Sequence, residues 1–111
     1  MSNKEFYELM DKTFNECIAL AKAKGADYTK GSEDALANFK EGGTDLNLPP
    51  EMVLMVMFRK HWTAIINYVR TGGQSESEPI DERLKDLINY AVLLKALIHE
   101  RRFTLPPRVN L

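Results

Sequence analysis

With 111 residues, 44% of them apolar and 28% charged, the chain fits one globular domain that buries a core without disulfides or metal staples. Its formal net charge of −1 and pI of about 6.1 remove the electrostatic case for wrapping nucleic acid. Its single cysteine, Cys17, excludes an internal disulfide and fits a reducing compartment.

The start, MSNKEFYELMDK, is acidic and amphipathic rather than a signal peptide. The longest apolar run, Met52 to Phe58, is far too short to span a bilayer. No membrane association and a cytoplasmic location are therefore expected. The spacing predicts a first helix over 4–24, where Tyr7, Met10, Phe14, Cys17, Ile18 and Ala21 recur at three- and four-residue intervals on one face. Within that stripe Cys17 reads as core packing, since a nucleophilic role needs a basic partner that the sequence does not place. Gly25 is expected to stop the helix.

A short second helix is expected over 32–41. Ser32 is its N-cap, Glu33 and Asp34 lie in its first turn, and Leu36 and Phe39 face inward. Gly42-Gly43 ends it. A third helix, over 50–71, opens on Pro49-Pro50, because proline suits the first helical position. Its first turns, Met52 to Phe58, are apolar on every side. Such a segment is normally buried all round, which places it at the centre of the bundle or at a subunit interface. Gly72-Gly73 closes this helix, and the polar stretch over 72–78 reads as a mobile loop.

Pro79 opens a fourth helix over 79–103. Its main stripe is Ile80, Leu84, Leu87, Ile88, Ala91, Leu94 and Ile98, and a second cluster, Tyr90, Leu93 and Leu97, lies off it. One small bundle rarely covers both faces, so a homo-oligomer is expected; cover by the first helix or by the tail is the alternative. The tail contains Pro106-Pro107 and cannot continue the helix. The expected fold is a single all-α domain over 1–111, a compact bundle of about four helices with a proline-containing tail.

Three features carry candidate chemistry. Asp86 stands four residues after Glu82 and three before Asn89, so the three share a helix face. It borders Tyr90, Leu93 and Leu97, and a carboxylate beside apolar surface needs a cation, a donor or a metal. Magnesium, held by Asp86 and Glu82 with substrate phosphates, is one option; an ion pair with another helix is the other. Next, Arg59, Lys60 and His61 follow the apolar run at about 100° steps, so one or two of them can meet a phosphate. The third feature is the connector from Lys24 to Gly31 with Asn38 and Phe39. Asp27 and Tyr28 lie within it, Tyr28 is able to stack on a base, and a glycine-bearing turn before a helix can accept an anion. The sequence holds no GxxxxGK[ST], no GxSxG and no HxxxH or CxxC spacing.

The order of Lys24, Asp27 and Tyr28, then Asn38 and Phe39, then Arg59, Lys60 and His61, then DLINYA from Asp86 to Ala91 resembles the small, mostly phage-encoded nucleotide modification associated domains. These are similar in turn to the MazG-like all-α nucleoside triphosphate pyrophosphatases. The resemblance spans 22–100. It implies an oligomeric bundle in the host cytoplasm that handles a nucleotide, with acidic residues of two helices holding magnesium in the enzymes. The nucleotide-binding set it suggests is Lys24, Asp27, Tyr28, Asn38, Lys60, His61 and Asn89, with Asp86 and Glu82 for a metal. The enzymes' ExxE and ExxD motifs are incomplete: Arg83 stands three before Asp86, and Arg59-Lys60-His61 occupies the middle helix. Two expectations follow. One is a nucleotide-binding protein, with magnesium-dependent hydrolysis as its enzymatic form. The other is a non-enzymatic module that binds a nucleotide signal or a protein in phage–host conflict.

Overall fold

Four α-helices build the protein, and among the described residues there is no strand: α1 (Asn3–Thr29), α2 (Ala37–Leu46), α3 (Pro50–Thr71) and α4 (Ile80–Thr104). The structure is a computed structural model that describes residues 1–29, 32–73 and 79–104, with side chains except at 26–29 and 102–104. The all-α bundle expected from the sequence is what is observed. The expected loop over 74–78 and the tail over 105–111 lie outside the described residues. No described helix is long and apolar enough to cross a membrane.

Local chemistry sets the helix ends and moves three of them from their expected places. At the start of α1, Ser2 Oγ accepts from the Glu5 N–H and Glu5 Oε2 accepts from the Ser2 N–H, each at 3.1 Å. This reciprocal box satisfies two donors that an uncapped helix leaves open. Gly25 does not end α1, which runs on to Thr29. Glycine ends a helix by turning left-handed, and Gly25 keeps a negative φ; inside a helix it costs only about 1 kcal/mol.

The second helix starts later and ends later than expected. Ser32 Oγ accepts from the Asp34 N–H at 3.1 Å, and Asp34 Oδ1 from the Leu36 N–H at 2.9 Å. Ser32 thus caps a turn, and α2 begins only at Ala37. The helix passes through Gly42-Gly43 to Leu46, where Asn47 takes the left-handed conformation (φ 55°). Gly43 has a packing role instead: a Cβ there would lie 2.6 Å from the Leu48 carbonyl oxygen. Pro50 opens α3, and Gly72 (φ 63°) closes it, both as expected.

α3 and α4 run antiparallel. Arg101 donates to Glu51 Oε2 at 2.7 Å, and ten residues further along α3 the His61 ring lies 5.3 Å from that of Tyr90. The core is Leu36, Phe39, Leu54 and Leu97, with Val53, Met57, Tyr90 and Leu93 packed against it. Two expectations change here. On α4 the cluster Tyr90, Leu93 and Leu97 faces the core and Leu94 of the expected main stripe packs beside it, while Leu84, Ala91 and Ile98 of that stripe are exposed. And Met52 to Phe58 is not central: Leu54 is fully buried, but Met52, Met55 and Val56 are 50, 48 and 66% exposed. The reason is architectural. Among the described residues α3 packs on α2 and α4, and α1 packs on α4 and grazes α2 without reaching α3.

Lys40 ties α2 to its own entry turn and to α4, with Nζ 2.7 Å from Asp34 Oδ2 and 2.5 Å from Glu100 Oε1. The hydrogen bond from Lys40, then that from the Leu36 N–H, holds the Asp34 carboxyl below its ordinary range. Asp34 and then Glu100 push Lys40 up. A lowered carboxyl contributes stability above its unfolded pKa and loses it as pH falls through the folded one; a raised lysine loses its contribution only as pH rises through the folded pKa. The groups are well exposed, so the effect is about 0–1 kcal/mol. The gap in Tm between the chain and Asp34→Asn is expected to be widest near neutral pH and to close below about pH 4. A gap independent of pH would mean that this ion pair contributes nothing to stability.

Candidate functional site

Because α1 leans on α4 and misses α3, a cavity of about 430 Å³ opens between α1, α2 and α4. Phe14, Ile18 and Ala21 of α1, Phe39 of α2, Met57 of α3 and Ile88, Val92 and Leu93 of α4 supply its apolar lining. Val92 is 59% exposed, so the cavity is open to solvent along α4. Lys22, Lys24, Asn38, Asp86 and Asn89 bring polar groups to this largely apolar lining.

α1 and α4 place those groups through a polar seam. Lys24 Nζ donates to Asp86 Oδ1 at 2.8 Å, with side-chain exposures of 41% and 10%. Asn89 Nδ2 donates to the Cys17 carbonyl at 3.1 Å. One turn back, Lys85 Nζ reaches Glu16 at 3.0 Å and Glu82 at 3.3 Å. The hydrogen bond to Glu16 is the main cause of a raised Lys85, and the same bond lowers Glu16. The sequence order explains the seam: 16, 17 and 24 fall on one side of α1, and 82, 85, 86 and 89 on one side of α4.

Cys17 is buried against this seam, its Sγ 3.9 Å from the Lys85 carbonyl. Burial pushes its thiol up, against the lowering influence of Lys85. The neutral thiol is the less nucleophilic form, in keeping with core packing.

Of the residues singled out in the sequence, Lys24, Asn38, Asp86 and Asn89 line this same cavity. Lys60 is exposed on α3 and does not line it. His61 does not line it either, but its ring lies against Tyr90, which does. Asp27 and Tyr28 fall in the last turn of α1, and their side chains lie outside the described residues. The two carboxylates assigned to a metal meet lysines: Asp86 pairs with Lys24, and Glu82 with Lys85. Among the described residues no three His, Cys, Asp or Glu side chains converge as a metal-holding group. This donor set, already neutralised by lysine, does not suit magnesium.

Sequence reasoning missed the apolar walls as part of a site. Phe14, Ile18 and Ala21 belong to the recognised stripe of α1, but a stripe does not reveal which of its turns a neighbour leaves uncovered. Apolar walls with a few convergent polar groups make a pocket for a small, partly planar molecule. The chain matches no family model, no curated protein and no solved structure.

Proposed function

We propose that the protein binds a nucleotide in this cavity, base inward, and works as a homo-oligomer. The supporting observation is that three residues singled out for nucleotide contact, Lys24, Asn38 and Asn89, line one largely apolar cavity of about 430 Å³ together with Asp86, the residue expected to hold a metal. Pockets of about 300–1,000 Å³ hold drug-sized ligands. Phe14, Phe39 and Tyr90 offer faces for a base, the two asparagine amides address its polar edge, and Lys22 at the rim suits a phosphate. The role that fits is a nucleotide-binding protein of the cytoplasm, of the kind used in phage–host conflict. Binding is favoured over hydrolysis because Asp86 is matched by Lys24 rather than by further carboxylates. The exposed apolar faces of α1 and α3 favour a second reading, a protein-interaction module.

A thermal-shift series with nucleotides and cyclic dinucleotides, run in magnesium and in chelator, tests the proposal. A ligand at 100 times its Kd stabilises the native state by about 2.7 kcal/mol, a rise of roughly 10 °C or more for a domain of this size. One nucleotide class is expected to raise Tm in chelator as well, and Asn89→Leu to lose the rise. No shift with any nucleotide would overturn the reading in favour of the interaction module. Magnesium-dependent turnover that Asp86→Ala abolishes would replace binding by hydrolysis.

A further inference from the structure

Two polar residues of the cavity have hydrogen-bond roles that the fold fixes. Asp86 keeps only 10% of its side chain exposed, and its Oδ1 accepts from Lys24 Nζ at 2.8 Å. A carboxylate paired with a lysine has no hydrogen to give and only accepts. Among the described residues nothing else donates to it, so Oδ2 remains an acceptor in a nearly closed place. Asn89 is set by α1: its Nδ2 donates to the Cys17 carbonyl at 3.1 Å. The reverse orientation would bring the amide oxygen against a carbonyl oxygen, so the backbone of α1 decides which way the amide lies. The nitrogen is turned to α1, and Oδ1 is the acceptor that Asn89 keeps for a ligand.

Positions 86 and 89 are three apart on α4, so the two side chains are neighbours on one helix face, with Cβ atoms about 5–6 Å apart. Both line the cavity. The site thus offers two acceptors side by side, and a buried acceptor left without a donor costs free energy. A ligand that suits it brings two donors next to each other on one edge. Among the common bases guanine alone does so on its pairing edge, where N1–H stands beside the N2 amino group. Adenine and cytosine set an amino group beside a ring nitrogen that accepts. Uracil and thymine set one N–H between two carbonyls. The guanine edge ends in the O6 carbonyl, which takes a donor, and Asn38 brings an amide to the same cavity.

We infer that the cavity selects guanine, with Asp86 Oδ2 and Asn89 Oδ1 accepting from N1–H and the N2 amino group. This rests on the reading of the cavity as a nucleotide site and names its base. Lys24 takes part in the recognition by holding Oδ1, which makes Oδ2 the oxygen left to the ligand. A guanosine phosphate and a cyclic dinucleotide containing guanine bring the same edge to these two residues.

Calorimetric titration of the full chain in chelator tests the base. GMP, IMP and AMP are compared, each also as its triphosphate, and guanine and adenine also as cyclic dinucleotides, which separates the two sources of the edge. Guanine is expected to bind at least about tenfold tighter than hypoxanthine, which lacks only the N2 amino group, and at least about a hundredfold tighter than adenine, whose N1 would face an acceptor. In Asp86→Asn an N–H donor takes the place of Oδ2 while the amide oxygen still accepts from Lys24, and the advantage of guanine over hypoxanthine is expected to be lost. The comparison of bases on the unaltered chain decides the matter even where that variant fails to fold. Equal affinity for the three bases, tighter binding of adenine, or a guanine advantage that a folded Asp86→Asn keeps would overturn the inference and leave nucleotide binding standing. Binding of none of these nucleotides would overturn both.

Discussion

Leu54→Ala is expected to lower the free energy of unfolding by about 3 kcal/mol, within the roughly 2–5 kcal/mol range for leucine truncation in a packed core. Leu54 has no exposed surface and sits in the cluster with Leu36, Phe39 and Leu97. A domain of this size has about 5–15 kcal/mol in total, so one truncation removes a large share of it. Val56, two residues on and 66% exposed, is expected to cost about 0.5 kcal/mol or less when cut to alanine. Urea denaturation of both variants reads the contrast. Equal losses would mean that the outer side of the Met52 to Phe58 run is covered as well, returning it to an interface.

That contrast marks where the sequence is legible and where it is not. Helix identity follows from periodicity and from caps whose geometry is local: Pro50 at the start of α3 and Gly72 at its end are set by backbone sterics alone. Which glycine acts as a stop is not local. Gly25 and Gly43 stay helical, and Gly43 is demanded by the approach of the Leu48 carbonyl across the α2–α3 turn, a tertiary fact. The Ser2–Glu5 box, by contrast, is legible in the sequence, as serine followed three residues later by glutamate. On α4, two apolar faces compete, and hydropathy favours the larger. The smaller one, Tyr90, Leu93 and Leu97, takes the core with Leu94 at its edge, because α2 and α3 bring Phe39 and Leu54 to that side. The same holds for the site. Asp86 announces its need for a partner by lying beside apolar residues, but that the partner is Lys24, 62 positions away, depends on where α1 crosses α4.

The Lys24–Asp86 pair yields the second large effect, and it is asymmetric. Lys24→Met leaves a carboxylate with 10% side-chain exposure and without the lysine that pairs with it. Removing one partner of a buried pair costs about 3–5 kcal/mol, and the 41% exposure of Lys24 reduces this to about 2 kcal/mol by solvent screening. Asp86→Asn is expected to cost less, about 1 kcal/mol, because the amide oxygen still accepts from Lys24 and the lysine reaches water. Lys24→Met/Asp86→Leu removes both charges from an apolar wall. Its stability is expected to return close to that of the unaltered chain, since apolar replacement of both partners is often neutral or better, and the single losses will not add. The nucleotide-induced rise in Tm is expected to vanish in the same double variant. Recovered stability with lost response assigns the pair to ligand recognition. Additive losses would make it a structural tie, and a retained response would move the nucleotide out of this cavity.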